Sequence, residues 1–413
     1  MTSLNSVFRT VGRLFATGRL VSRYGIGIDT NPVPSDWEHV TKVDPESDKT
    51  IPVAFPKYLS HTDAISIGGS ADVTDENTVQ TFTLLDHVST PTFHEPSDAS
   101  HVTKESQTMA EFLAVPQVLN GSDEAFIGEF GAGVEYIRKD MAPSLLSSLP
   151  RLPFNINDRL AAVLTGIMLD SGVTEAYIVQ NPDSAAARES GVTSNDLVDP
   201  EGARHRALAA EYVLEAEILY LEYSGTYGGE EAVDLLEAIS EGVEWIQVWY
   251  GGGIDSREKA EAVLEAGADT IVVGDVFHRI AEEETTLAER FVNDHDSVSS
   301  LDDALGWVDQ EVELSSTAAA QYLSTIPAVD DPLAEARQCL ASGIRARSAI
   351  LFAGDASTGD DHVQVNSATV NAVASALTDG VDNPEMLSKM VLGDVLSEGV
   401  SEVPVNKIGL TMK

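Results

Sequence analysis

The segment Tyr220-Leu221-Glu222-Tyr223-Ser224-Gly225 sets one carboxylate at the end of an apolar run, two residues before a Ser-Gly turn. In an extended strand Tyr220, Glu222 and Ser224 share one face by period two. A carboxylate in a buried strand is costly unless it is paired or used. Glu222 therefore either pairs with a nearby lysine or takes a proton from a substrate. Glycine turns recur at Ser224-Gly225, at Gly251-Gly252-Gly253 and at Gly274-Asp275. Such turns let backbone N–H groups approach an anion, and the N-terminus of a following helix adds a favourable dipole. Lys42 and Asp44 also alternate by two. Asp44 with Ser70 would make a sparse oxygen site, which Mg2+ accepts when substrate phosphates supply its other ligands. The same residues equally allow a Lys42–Asp44 ion pair at a rim. None of the nine histidines falls at metal-ligand spacing, and His94 in "TFHEPS" reads as packing or surface. No G-x-G-x-x-G follows a strand and no Ser-His-Asp order is apparent. Transfer or isomerisation of a phosphorylated small molecule, with Mg2+, is the chemistry these residues suit best.

The elements that must position them are short, nearly continuous apolar runs at 39–44, 64–69, 90–96, 112–119, 176–182, 218–225, 245–253 and 270–275. Runs of this kind fit parallel strands covered on both faces. Helical patterns alternate with them, such as 256–268 with Ser256 as N-cap and 276–292. Eight such units in roughly 260 residues predict an α/β fold, a (β/α)8 TIM barrel, with a doubly wound sheet as the alternative. Units two to four look poor in helix, so the third crossover is expected to be irregular. A barrel of this type carries its active site at the C-terminal strand ends. Lys42, Asp44, Ser70, Glu222 and the three glycine turns all fall there. The expected organisation is an arm at 1–36, the barrel at 37–292, a polar linker at 293–303 and a mostly helical segment at 304–413.

Composition narrows the function. The chain has 413 residues, 25 Lys+Arg against 67 Asp+Glu, and a formal net charge of −42. Such a surface repels phosphate backbones and excludes a nucleic-acid partner. The acid is dispersed over periodic segments, which suits a protein adapted to high salt, where self-repulsion is screened. One cysteine, Cys339, permits no internal disulfide and suits a cytoplasmic protein. No apolar run reaches the ~18 residues that span a bilayer. Arg9, Arg13, Arg19 and Arg23 precede the first acid, Asp29, with Val7, Phe8, Val11, Leu14 and Phe15 at helical spacing. Residues 1–28 thus suit either peripheral contact with an anionic membrane or packing on the protein's own acidic surface.

Taken in order, "HVTKVDP" (39–45), "SIGGSADVT" (66–74), "HEPSD" (94–98), "VPQVLN" (115–120), "YIVQNPDSAAAR" (177–188), "YLEYSGTYG" (220–228), "YGGGIDSREKA" (250–260) and "DTIVVGD" (269–275) resemble the geranylgeranylglyceryl phosphate synthase family. These are prenyltransferases of archaeal ether-lipid synthesis. The resemblance spans about 37–292 and leaves out both ends. It implies that the C3 hydroxyl of sn-glycerol 1-phosphate attacks C1 of geranylgeranyl diphosphate. Carried over by position, it implies Mg2+ at Asp44 and Ser70 and a phosphate at Lys42. Glycerol 1-phosphate would lie against Tyr220, Leu221, Glu222, Tyr223, Ser224, Gly225, Gly253, Gly274 and Asp275, with Glu222 accepting hydrogen bonds from its hydroxyls and serving as catalytic base. It also implies a homo-oligomer. Two positions depart from the family pattern: Ser70 replaces a common Thr and keeps the hydroxyl, and Asp275 replaces Asn and sets a carboxylate beside a phosphate. Either Asp275 turns away or a neighbouring cation offsets it. The segment 304–413 faintly resembles helices of all-α polyprenyl diphosphate synthases. It has only Asp360-Asp361 where those enzymes need two aspartate-rich motifs, so a non-catalytic role is expected. Another phosphate-binding barrel enzyme and a non-catalytic lipid-pathway scaffold are the alternative readings.

Overall fold

In a computed structural model, the structure describes residues 20–25, 30–46, 48–69, 72–146, 156–295, 300–355, 373–376 and 407. Eight strands form one parallel sheet: β1 (His39–Val43), β2 (Ala64–Ile67), β3 (Thr92–His94), β4 (Ala114–Val118), β5 (Val173–Val179), β6 (Ile218–Glu222), β7 (Gln247–Gly251) and β8 (Thr270–Val273). Their order is β3-β2-β1-β8-β7-β6-β5-β4. β3 and β4 meet through a parallel bridge between His94 and Leu113, and the His94 N–H donates to the Phe112 carbonyl at 3.1 Å. The ring is thereby closed, and the expected TIM barrel is the fold.

Period two divides each strand between two cores. Val40, Ala64, Phe93, Ala114, Val173, Tyr177, Ile218, Tyr220, Trp249 and Val272 fill the lumen. Val43, Ile65, Ile178, Leu219, Leu221, Val248, Tyr250 and Ile271 pack outward under the helices. Trp37, Phe93 and Phe112 stack below, with Trp37–Phe93 centroids 6.2 Å apart and Phe93–Phe112 centroids 4.7 Å apart, so the barrel floor is solid.

The crossover helices are α1 (Phe55–Leu59), α2 (Asp75–Leu85), α3 (Lys104–Met109), α4 (Ile156–Asp170), α5 (Pro200–Ala209), α6 (Gly229–Ser240), α7 (Arg257–Glu265) and α8 (Asp275–Asp294). The third crossover is the irregular one expected, with α3 only six residues long. Ser256 caps α7 as expected, accepting from the Lys259 N–H at 3.4 Å. β5 begins at Val173, three residues before the expected 176.

α1 has five residues and cannot cover β1 alone. Three further helices follow, α9 (Leu301–Glu311), α10 (Ala318–Thr325) and α11 (Pro332–Asp355), and α10 packs against β1. Tyr322 of α10 hydrogen-bonds Thr41 of β1 at 2.7 Å, and Thr325 hydrogen-bonds His39 Nε2 at 3.0 Å. Arg257 donates to the carbonyls of Ile326 at 3.2 Å and Val329 at 2.5 Å, beyond the last turn of α10. α11 lies on α8 through a buried ion pair, Arg347 Nε to Glu284 Oε1 at 3.3 Å. Contact there is so close that a Cβ on Gly343 would stand 2.1 Å from Glu284 Oε2. The described helices after the linker thus share the barrel's outer core.

Of the N-terminal arm, the described parts are 20–25 and 30–36. Arg23 lies over the Trp245 ring at 3.6 Å and 3.6 Å from Glu215, packing on the protein's own surface. Residues 1–19 and 26–29, which carry most of the basic amphipathic pattern, lie outside the described residues, as do Asp360 and Asp361. Among the described residues, no helix is long and apolar enough to cross a membrane.

Candidate active site

The C-terminal strand ends bring most of the expected residues to one mouth. Glu222 ends β6 at 2% exposure. Its Oε1 accepts the Ser224 N–H at 2.9 Å, while Oε2 is buried with no partner among the described residues. Burial pushes the carboxyl up, and hydrogen bonds from Ser224 and the charge of Lys42 only partly offset this. One buried oxygen without a donor is what a substrate hydroxyl would fill. Tyr220 lies two residues deeper on the same face and stacks on Tyr177, with centroids 4.6 Å apart.

The family-derived segment divides by parity. Leu221 and Tyr223 face outward into the helical core, and Tyr223 donates to Glu231 at 3.0 Å. Their side chains are therefore structural, and only backbone from these positions reaches the mouth. Ser224 is exposed at the turn, where Asn181 Nδ2 holds its carbonyl at 2.6 Å.

Gly225, Gly253 and Asp275 line one cavity of about 520 Å3 together with Lys49, His278 and Arg279. Gly253 has φ +56, and a Cβ there would lie 2.6 Å from the Thr226 carbonyl carbon and the Tyr227 nitrogen. The 225–227 and 251–253 turns therefore touch backbone to backbone, which a larger residue would forbid. Gly274 precedes α8, and no side chain caps that helix. Asp275 is at the first position of α8, where its carboxylate meets Lys49 Nζ at 3.3 Å. A neighbouring cation thus stands beside the carboxylate that the sequence raised as a difficulty.

Across the mouth, the Asp44 N–H donates to His278 Nε2 at 3.1 Å, while His278 Nδ1 faces the Thr50 carbonyl at 2.8 Å. That pairing sets the proton on Nδ1. Burial keeps the ring neutral, with its pKa lowered to about 4. Burial also raises the Asp44 carboxyl, against the opposing charges of Lys42, Lys49 and Lys407. Lys407 Nζ contacts the carbonyls of Asp44 and Glu46. Ser70 lies outside the described residues, so the Asp44–Ser70 pairing is not among the described contacts. No described groups of three or more His, Cys, Asp or Glu form a metal cage.

Lys42 does not pair with Asp44 at the rim. Its Nζ donates to Glu95 Oε1 at 2.7 Å inside the lumen. Burial disfavours the ammonium, but Glu95 and Asp44 outweigh it and hold its pKa above the ordinary value. Glu95 was missed from sequence, as was Glu175, which shares the lumen face of β5 with Val173 and Tyr177. Glu175 is fully buried and neither oxygen has a partner. Burial, then repulsion from Glu95, pushes its carboxyl well above the usual range. The available signal was a charged residue within an otherwise apolar strand.

Residues 34–292 match the PcrB family. The geranylgeranylglyceryl phosphate synthase of Halobacterium salinarum is 35% identical over 245 residues, 59% of this chain and 89% of that protein. The enzyme of the same name from Methanocella arvoryzae is 32% identical over 243 residues, 59% of this chain and 91% of its own. The solved structure of (S)-3-O-geranylgeranylglyceryl phosphate synthase from Thermoplasma acidophilum, in complex with substrate sn-glycerol-1-phosphate, aligns at 22% identity and TM-score 0.42, covering 59% of this chain and 87% of that one.

Proposed function

Because the chain belongs to the PcrB family, we propose that it is a prenyltransferase joining geranylgeranyl diphosphate to the C3 hydroxyl of sn-glycerol 1-phosphate. The observation that carries this reading is Glu222, whose buried Oε2 lacks a partner among the described residues, three positions before Gly225 of the Gly225–Gly253 cavity. The phosphate group would rest on the backbone of the glycine turns and the uncapped start of α8, with Lys42 reaching it from β1. Glycerol hydroxyls would then meet Glu222. In the transfer, the C3 oxygen bonds to C1 of the prenyl chain and its proton passes to Glu222 Oε2. The bond from C1 to the diphosphate oxygen breaks, and diphosphate leaves with the electron pair.

Asp44 suits Mg2+. No described donor hydrogen-bonds its carboxylate, and a single carboxylate suffices when phosphates and water complete the shell. When bound, the ion would neutralise charge on the departing diphosphate. His278 fixes the Asp44 backbone, and Lys407 holds its carbonyl. Peripheral membrane contact through residues 1–28 and homo-oligomer formation belong to the same reading.

The test is transfer of labelled prenyl groups to each glycerol phosphate enantiomer with Mg2+, at high and low salt. Product with the sn-1 enantiomer is expected. No turnover with either enantiomer at any salt concentration would end the enzyme reading.

A further inference from the structure

Glu95 directly follows β3, in a stretch with no part in the reaction above. Its carboxylate gathers donors from three other strands. Lys42 Nζ of β1 reaches Oε1 at 2.7 Å, the Tyr177 hydroxyl of β5 reaches Oε1 at 2.5 Å, and Ser66 Oγ of β2 reaches Oε2 at 2.7 Å. Glu95 is 8% exposed, Ser66 1% and Tyr177 7%. A carboxylate satisfied on both oxygens by groups on rigid strands is held in one place.

Lys42 is the member with a choice. Its ammonium rides a flexible stem and offers three donors, of which Glu95 takes one. Asp44 and Glu222 also lie within its electrostatic reach. An ammonium released from Glu95 would turn to one of them. On Glu222 it would engage the proton acceptor, and on Asp44 it would occupy oxygens facing the substrate phosphates.

We propose that Glu95 is the positioning residue for Lys42: it anchors the ammonium in the lumen, leaves its other two donors for the substrate phosphate, and keeps it off Glu222 and Asp44. This rests on reading Lys42 as a phosphate ligand. Ser66 and Tyr177 serve the same end by fixing the Glu95 carboxylate.

Glu95→Gln preserves size and an acceptor oxygen for Tyr177 and Lys42 while removing the charge. Affinity for sn-glycerol 1-phosphate would be measured by calorimetry without prenyl donor, alongside kcat and KM. Variants would be Glu95→Gln and Tyr177→Phe, each alone and in a Lys42→Met background. Glu95→Gln is expected to weaken binding about tenfold, the scale of one charge-assisted contact, with KM rising in step and kcat falling less. Tyr177→Phe should act in the same direction, about threefold. In the Lys42→Met background both effects should shrink below about twofold, because residues acting through one another are not additive. An undiminished Glu95→Gln effect in that background, or unchanged affinity with only a lower Tm, would overturn the inference. If Lys42→Met weakens binding and Glu95→Gln does not, the positioning role alone fails. Equal binding by wild type and Lys42→Met would remove the Lys42 reading itself, and this inference with it.

Discussion

Replacing Glu222 by Gln should move activity and stability in opposite directions. The amide keeps the oxygen that accepts the Ser224 N–H at 2.9 Å, so the turn should hold. What is lost is the proton acceptor, and general-base catalysis contributes about 10²- to 10⁴-fold. kcat should fall by that factor, while the KM for glycerol phosphate should change only a few-fold, because phosphate contacts lie elsewhere. The stability effect follows from burial. Glu222 Oε2 is buried without a partner, and its folded-state pKa is raised. A raised carboxyl weakens the folded state as pH climbs above the unfolded value of about 4.3, up through the folded pKa. A neutral amide avoids that loss. At neutral pH the variant should therefore be more stable, because the amide carries no charge to bury, while its NH2, standing where Oε2 lacks a partner, limits the gain to on the order of 1 kcal/mol. The advantage should vanish below about pH 4, where both forms are neutral. Urea unfolding across pH, with steady-state prenyl transfer, measures both effects. Retention of more than a tenth of wild-type kcat would place the proton acceptor elsewhere. A loss of stability at neutral pH would mean the carboxylate is satisfied in a way the unpartnered oxygen does not suggest.

Arg347→Met should destabilise the chain by about 3–5 kcal/mol, since it leaves Glu284 charged and buried. The double change Arg347→Met with Glu284→Gln should recover most of this in urea titrations, because the amide oxygen keeps an acceptor for the Val53 N–H at 2.9 Å, and failure to recover would show that the loss is one of packing. Gly253→Ala should raise the KM for glycerol phosphate about tenfold or more. The reason is that φ +56 and the 2.6 Å approach to Tyr227 force the two turns apart. An unchanged KM would detach that turn from the phosphate. Asp275→Asn should tighten sn-glycerol 1-phosphate binding severalfold in calorimetry, by removing a like charge and freeing Lys49. No gain would mean that Lys49 already cancels the charge.

What the sequence showed and what it hid divide along one line. Period-two alternation and glycine turns are local, so the eight strands, the lumen face of Tyr220 and Glu222, and the Gly225 and Gly253 turns were legible. Partners across the barrel were not. Lys42 looked like a partner for Asp44 because the two share a strand face. Residues i and i+2 stand about 7 Å apart along a strand, and the Lys42 ammonium reaches Glu95, just past β3, instead. The start of β5 was set late because Glu175 reads as a loop charge. Placing it in the strand requires knowing that the lumen tolerates a buried carboxyl. Periodicity identified α11, but not that α10 would cover β1 and α11 would lie on α8. That follows from the brevity of α1, visible only once the barrel closes.

Charge in the lumen connects these residues. Asp44, Glu95, Glu175 and Glu222 all lie within the electrostatic reach of one ammonium, Lys42. Four carboxylates all charged around that one ammonium would repel two phosphorylated substrates. The structure treats each carboxylate differently. Glu95 is ionised and spends its charge on Lys42, with Ser66 and Tyr177 completing its hydrogen bonds. Glu175 is driven toward the neutral acid by burial and by Glu95. Among the described residues, Asp44 and Glu222 have no lysine or arginine at bonding distance, and these are the two that the proposed reaction needs, one for a metal ion and one for a hydroxyl proton. On this account the Lys42–Glu95 pair keeps that ammonium from closing on either of them. The two reactive carboxylates then stay available until substrate and Mg2+ supply their partners.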